Sequence, residues 1–196
     1  MTTTNRLAVL LRYCIYGLAF VPLIIFSQYI SPFHFGKIIV FRSVIEIMAT
    51  LYLILIWGDR SYRPRPDRIF WAFFGFAGAF TLATIFSINW YQSLWGSLER
   101  MGGVFSFWHY FIFYIILGSV LRTRQNWLTF LKITIIVGVL SALYGFGQRT
   151  NIGFFIGGGG RERIFGTIGN AALFAGYQIL NVFLGLILAF WSLRKT

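Results

Sequence analysis

Apolar runs of about 20 residues recur along almost the whole chain, and they determine what it can fold into. An α-helix needs about 20 such residues to cross the hydrocarbon core of a bilayer. Of the 196 residues, 58% are hydrophobic and only 11% are charged, whereas soluble domains have about 25% charged residues. We therefore expect an all-α, polytopic transmembrane helix bundle of about six helices, forming one domain over 1–196. The predicted spans are 7–28, 36–57, 69–88, 103–121, 127–148 and 168–191.

The positions of the basic residues predict the orientation of the chain. If the N-terminus is cytoplasmic, nine Lys and Arg residues fall in inner segments and five in outer loops. The positive-inside rule favours this arrangement, chiefly through the loop 58–68 and the Arg-Thr-Arg of 122–124. We therefore expect both termini in the cytoplasm and the loop 149–167 outside. The net charge of +12 is then a signal of membrane orientation and does not indicate nucleic-acid binding.

Arg42, Glu46 and His109 lie deep inside the predicted spans and form a candidate intramembrane polar site. Arg42 and Glu46 are four residues apart in the second span, so they share one helix face. A charge at that depth is costly and by default indicates function. The alternative is a structural role, and we predict that Arg42 and Glu46 are paired in the bundle interior, away from lipid. His109 lies in the fourth span, and packing with a hydrogen bond is the commoner role of such a histidine.

The sequence predicts neither a metal nor a cofactor. Cys14 is the one cysteine, and no histidines, cysteines or carboxylates have the spacing of metal ligands. Neither a GxSxG nucleophile motif nor a phosphate-binding P-loop is present.

The segment GGGGRERIFGTIGN, residues 157–170, interrupts the apolar pattern with glycines and two arginines. Arginine presents a planar fork of donors that matches phosphate oxygens, and glycines allow backbone N–H groups to converge on an anion. Asn170 or Thr167 can cap the following helix, whose positive dipole end would point to the same place. We weigh this anion-binding corner against a loose connector whose arginines face water.

The stretch RERIFGTIGNAALFAGYQIL, residues 161–180, resembles a known signature. It is similar to the start of the conserved region in the bacterial O-antigen ligase and O-antigen polymerase family, which would begin here near residue 161. Many members have Asn-Pro-Asn where this chain has Asn170-Ala171-Ala172. The matching positions are Arg161, Arg163, Gly166, Thr167, Gly169, Asn170, Ala175, Gly176 and Tyr177, together with Ser97, Arg100 and Gly103 upstream.

The resemblance implies a membrane-embedded glycosyltransferase of cell-surface polysaccharide and lipopolysaccharide biosynthesis that requires no nucleotide sugar or metal. Such enzymes transfer a glycan from undecaprenyl diphosphate to a lipid or glycan acceptor at the outer face of the bacterial inner membrane. Arginines would stabilise the charge on the diphosphate leaving group. The residues implied for this role are Arg161 and Arg163, followed by Arg100.

Members of that family have more helices and a later outer loop carrying a histidine taken as catalytic base. We therefore expect this chain to be the N-terminal half of a longer protein. One alternative is a non-catalytic fragment or accessory protein that binds lipid-linked glycan. Another, less favoured, is a small multipass transporter whose path includes Arg42, Glu46 and His109. The sequence does not choose between ligase and polymerase.

Overall fold

The computed structural model describes residues 3–28, 31–150, 152–156 and 163–193. Within these ranges the regular secondary structure is entirely helical, as the sequence predicts, with two 3₁₀ helices at Val21–Leu23 and Arg60–Tyr62. The α-helices are α1 (Thr3–Leu18), α2 (Phe35–Gly58), α3 (Arg68–Ile85), α4 (Trp90–Trp95), α5 (Val104–Val120), α6 (Arg124–Gly147) and α7 (Ala171–Leu193).

Five helical segments of the described chain are long and apolar enough to cross a membrane. A sixth helix, α5, is apolar but shorter. These six agree with the predicted number, and they make the chain a multipass helical membrane protein. The five longer segments are Thr3–Leu23, Phe35–Gly58, Arg68–Ile85, Arg124–Gly147 and Ala171–Trp191.

The first helix differs from the predicted span 7–28, because α1 begins at Thr3 and ends at Leu18. Pro22 explains the early end. It has no N–H to donate to the carbonyl of Leu18, and it disfavours the α conformation at Val21. The chain instead continues through the 3₁₀ helix Val21–Leu23.

The segment between the third and fourth spans contains a helix that the sequence did not predict. This helix, α4, has six residues, and the side chain of Asn89 caps it by accepting a hydrogen bond from the N–H of Gln92. A helix of this length is too short to show the apolar periodicity on which sequence prediction depends.

The chain divides into two compact units. Unit 1 comprises residues 1–18 and 38–124, and unit 2 comprises residues 19–37 and 125–196. In unit 1, α5 packs against α1, α3 and α4. Unit 2 contains the 3₁₀ helix Val21–Leu23, the first turn of α2, nearly all of α6, and α7.

The two basic segments that we expect to face the cytoplasm contact each other within unit 1. The Arg122 guanidinium lies 3.6 Å from the centre of the Tyr62 ring. It also donates to the side-chain oxygen of Ser61 at 3.1 Å and to the backbone oxygen of the same residue. Arg122 therefore ties the loop 58–68 to the end of α5, in addition to any effect on orientation.

We predict that the loop containing Gly158 is outside the membrane and that both termini are cytoplasmic. A single cysteine at Gly158 or at Thr196, in a Cys14→Ser background, should then react differently with a membrane-impermeant maleimide. Gly158→Cys should be labelled in intact spheroplasts, and Thr196→Cys only after permeabilisation. The opposite pattern would reverse the topology.

Candidate functional site

Residues 163–170, which we call the outer corner, are fixed in place by side chains from α6 and from the first turn of α2. The Thr167 hydroxyl lies 2.6 Å from the Ser141 hydroxyl of α6. The Thr167 carbonyl accepts a hydrogen bond from the ammonium group of Lys37. Thr167 is only 2% exposed. Both its side chain and its backbone are therefore held in unit 2.

The carboxamide of Gln148, just after α6, links the outer corner to Ile156, which lies earlier in the same loop. Its Nε2 donates to the carbonyls of Ile156 at 2.9 Å and Gly166 at 3.2 Å. Its Oε1 accepts from the N–H groups of Gly166 at 2.9 Å and Phe165 at 3.3 Å. The amide is buried, and all four of its hydrogen-bonding positions are used. We call this arrangement the Gln148 clamp.

Two glycines of the outer corner are required by its shape. Gly166 and Gly169 have φ values of 53° and 81°, in the left-handed region that favours glycine. A Cβ at Gly166 would lie 2.3 Å from the Phe174 ring, and one at Gly169 would lie 2.4 Å from Phe33. Residues 165–170 are therefore a packed turn and not a loose connector, whereas Arg163 before them is exposed, as the connector alternative expected.

The start of α7 is capped as the sequence predicted, by Asn170. Its Oδ1 accepts from the N–H groups of Ala172 at 3.0 Å and Leu173 at 3.1 Å. Thr167, the other candidate cap, bonds to Ser141 instead. Because Asn170 already occupies two of the first N–H groups of α7, the helix would attract an anion mainly through its dipole. Binding of an anion at the outer corner would then depend more on the side chains of the arginines than on the helix N-terminus.

The three arginines implied for diphosphate binding have different positions. Arg163 is exposed at the start of the outer corner. Arg161 lies outside the described residues. Arg100 is exposed in the turn before α5, in unit 1.

The sequence analysis did not predict that Lys37 belongs to the outer corner. It counted Lys37 only among the five basic residues of the outer loops. Its partner Thr167 is 130 positions away in the chain. No local pattern of residues predicts a contact at that separation.

A cavity of about 540 Å³ lies beside the outer corner in unit 2. Thr167 forms part of its wall, and the remaining wall comes from residues within 23–27, 140–144 and 153–156. Most of these side chains are apolar, with Ser27 and Tyr144 as polar exceptions. Ligand pockets commonly have this size and mixture.

In unit 1, Arg42 ties α2 to the turn that precedes α5. Its Nη2 donates to the carbonyl of Met101 at 2.6 Å and to the hydroxyl of Ser106 at 2.5 Å. Its guanidinium also lies 5.0 Å from the centre of the Phe105 ring. These partners replace the direct pairing with Glu46 that we expected. The i, i+4 spacing was misleading because better-placed acceptors come from elsewhere in the chain.

Glu46 contacts His109 instead. The distance from His109 Nε2 to Glu46 Oε1 is 3.2 Å, and His109 Nδ1 lies 2.7 Å from the Phe105 carbonyl oxygen. His109 is hydrogen-bonded and buried, as the packing interpretation expected. The Glu46 side chain is 61% exposed, so the expectation that it faces the interior is wrong.

No group of three or more His, Cys, Asp or Glu side chains in the described part of the chain is placed to hold a metal ion.

The fold and these sites define an all-α multipass membrane protein with one cluster of polar contacts in each unit, around Arg42 in unit 1 and around Thr167 in unit 2. Comparisons with protein-family models, curated protein sequences and solved structures found no match to the chain.

Proposed function

We propose that the protein binds a glycan carried on undecaprenyl diphosphate at the outer face of a bacterial inner membrane. In this proposal it transfers the glycan to a lipid or glycan acceptor, or holds it for such a transfer. The main support is the outer corner, where the residues that resemble the O-antigen ligase and polymerase signature form a packed turn. Gly166, Thr167, Gly169 and Asn170 each have a specific contact or conformation in that turn.

Two cationic side chains of unit 2 belong to the outer corner. Arg163 is exposed. Lys37 donates to the carbonyl of Thr167, which follows Arg163 by four residues. At about 3.3–3.6 Å per residue, the Cα atoms of Arg163 and Thr167 are at most roughly 14 Å apart. An ammonium has three donors, and the Thr167 carbonyl takes one of them. A diphosphate would gain charge-assisted hydrogen bonds from such groups.

The neighbouring cavity supports a lipid-linked substrate. Its walls are mainly apolar, and it reaches Thr167 of the outer corner. An apolar lipid chain would pack against these walls by van der Waals contact while its charged head met Arg163. The arrangement therefore suits a ligand that is apolar at one end and anionic at the other.

Transfer would also require a base that activates the acceptor. His109 is not assigned this role, because both of its ring nitrogens already have partners. Arginines at the outer corner would stabilise the diphosphate as it leaves, through charge that develops in the transition state. The proposal therefore assigns leaving-group stabilisation to this chain and assigns no residue as base.

Replacing Arg161 or Arg163 by alanine should weaken binding of undecaprenyl diphosphate. A hydrogen bond to a charged group contributes about 1.5–3 kcal/mol, so each loss should reduce the affinity roughly 10- to 100-fold. Lysine should restore only part of the affinity, because it keeps the charge but lacks the planar fork. The measurement is the Kd in nanodiscs for wild type and for the Lys and Ala variants at each position.

Two controls make this experiment specific. Arg65→Ala removes an exposed arginine from the loop 58–68 and should leave the affinity unchanged. Undecaprenol, which has no diphosphate, should bind more weakly than undecaprenyl diphosphate and equally to all variants. If every variant binds undecaprenyl diphosphate as the wild type does, the outer corner does not recognise the diphosphate and the proposal fails.

A further inference from the structure

A groove of about 720 Å³ lies in unit 1, between the first turns of α1 and the last turns of α2. Its apolar walls come from Leu7 of α1 and from Leu53 and Ile54 of α2. The side chains of Leu53 and Ile54 are exposed, so the described part of the chain leaves this groove open. Ligand sites commonly have a volume of about 300–1,000 Å³ and mainly apolar walls. We call this feature the α1–α2 groove.

One end of the α1–α2 groove is polar. Thr3 and Thr4 line it from α1, and Trp57 and Gly58 line it from α2. Trp57 is 92% exposed, and an exposed tryptophan at the end of a membrane span typically lies at the level of the lipid headgroups. Leu53 is one turn away from Trp57, about 6 Å deeper in the span. The groove therefore runs from the headgroup region into the hydrocarbon region.

Gly58 allows the two helices to touch at this polar end. A Cβ at Gly58 would lie 2.8 Å from Cγ2 of Thr4, which is closer than Cβ atoms normally approach another heavy atom. The groove therefore lies on two helices that are in contact, and its shape does not depend on a loop.

The segments next to the polar end carry an excess of positive charge. Residues 3–6 and 58–68 contain five arginines and two aspartates, which gives a net charge of +3. The arginines, all exposed, are Arg6, Arg60, Arg63, Arg65 and Arg68. Both carboxylates already accept hydrogen bonds from backbone N–H groups, Asp59 from Ser61 and Asp67 from Phe70. Basic pockets at the ends of membrane spans favour anionic lipid headgroups.

We propose that the α1–α2 groove binds one anionic glycerophospholipid. An acyl chain lies against Leu7, Leu53 and Ile54, where it packs by van der Waals contact. The phosphate lies at the polar end, where Arg6 and Arg60 donate charge-assisted hydrogen bonds to its oxygens. The inference does not depend on the proposed function, whose site is in unit 2.

Arg6 and Arg60 are chosen because they are the arginines nearest to the groove along the chain. Arg6 is the residue before Leu7, and Arg60 is the second residue after Gly58. A zwitterionic lipid has the same acyl chains, but its own ammonium group offsets the charge of its phosphate. It therefore gains less from the two guanidinium groups than an anionic lipid does.

The first test measures lipid binding by native mass spectrometry. The purified protein is titrated with phosphatidylglycerol and with phosphatidylcholine of the same acyl chains. One phosphatidylglycerol should bind the wild type about tenfold more tightly than phosphatidylcholine. Arg6→Gln and Arg60→Gln should each weaken the binding of phosphatidylglycerol about fivefold and leave that of phosphatidylcholine unchanged.

Arg149→Gln is the matched control for charge. It makes the same change at an exposed position just after α6, in the loop that we expect outside, and should leave both affinities as in the wild type. Equal affinity of the wild type for the two lipids would overturn the proposal. Displacement of phosphatidylglycerol by glycerol 3-phosphate, which has no acyl chain, would also overturn it.

The second test fills the groove. Ile54→Trp places a larger side chain between the apolar walls and should weaken the binding of phosphatidylglycerol at least tenfold. Ile47→Trp makes the same change seven residues earlier on α2, at an exposed position outside the groove, and should bind as the wild type does. Wild-type affinity in Ile54→Trp would contradict the proposal. A wild-type dimer that binds neither lipid, and that Ile54→Trp makes monomeric, would assign the groove to a second copy of the chain instead.

Discussion

Gln148→Glu should destabilise unit 2 by about 3–5 kcal/mol, although the two side chains have nearly the same shape. The carboxylate cannot donate, so the carbonyls of Ile156 and Gly166 both lose their partner. Each unsatisfied buried carbonyl costs about 1–3 kcal/mol. A negative charge would also face these two carbonyl oxygens in a buried site. The free energy of unfolding, measured by thermal or chemical denaturation in nanodiscs, gives the result.

Two further variants separate the causes of this loss. Gln125→Glu makes the same chemical change at an exposed position in the first turn of α6, and its stability should match the wild type. Gln148→Met removes the hydrogen bonds without adding charge and should fall between wild type and Gln148→Glu. If Gln148→Glu is as stable as wild type, the Gln148 clamp contributes nothing to the stability of unit 2.

Gly103→Ala should destabilise unit 1 by about 3 kcal/mol, at the upper end of the usual range for overpacking. A Cβ at this position would lie 2.2 Å from the carbonyl oxygen of Leu94 and 2.5 Å from the backbone nitrogen of Gly96. Backbone atoms cannot move aside as a flexible side chain does, so the turn between α4 and α5 would have to open. Gly103 has a φ of −74°, which any residue adopts, so the effect comes from space alone.

The neighbouring glycine is the control for this prediction. A Cβ at Gly102 would have no atom within 4 Å. Gly102→Ala should therefore change the free energy of unfolding by no more than about 0.5 kcal/mol. Denaturation of the two variants under the same conditions measures the difference. Equal stability of Gly102→Ala and Gly103→Ala would show that the turn relaxes around the added methyl group.

The sequence predicted the class of fold because each span is a local property of the chain. Runs of apolar residues must be helical in a bilayer, since a lipid-exposed backbone has to satisfy its own hydrogen bonds. The cap at Asn170 was predictable for the same reason, because its partners are only two and three residues away. Patterns within one turn of helix are visible in the sequence.

Contacts between distant segments were not predictable in this way. The local spacing rule paired Arg42 with Glu46, whereas the guanidinium bonds to Met101 and Ser106, which are 59 and 64 positions away. A guanidinium presents several donors in a fixed plane, so it takes the acceptors that packing places in that plane. The contact of His109 with Glu46 has a separation of 63 positions and was missed for the same reason.

The cap at Asn170 has a consequence for the residue that follows it. Ala171 is the first residue of α7, where the N–H has no partner within the helix, so this is the position at which a helix best accepts proline. The Asn-Pro-Asn of many O-antigen ligases and polymerases and the Asn170-Ala171-Ala172 of this chain are thus compatible with one helix start. They differ in the unfolded chain, where alanine leaves about 0.4–1 kcal/mol more conformational entropy to be lost on folding.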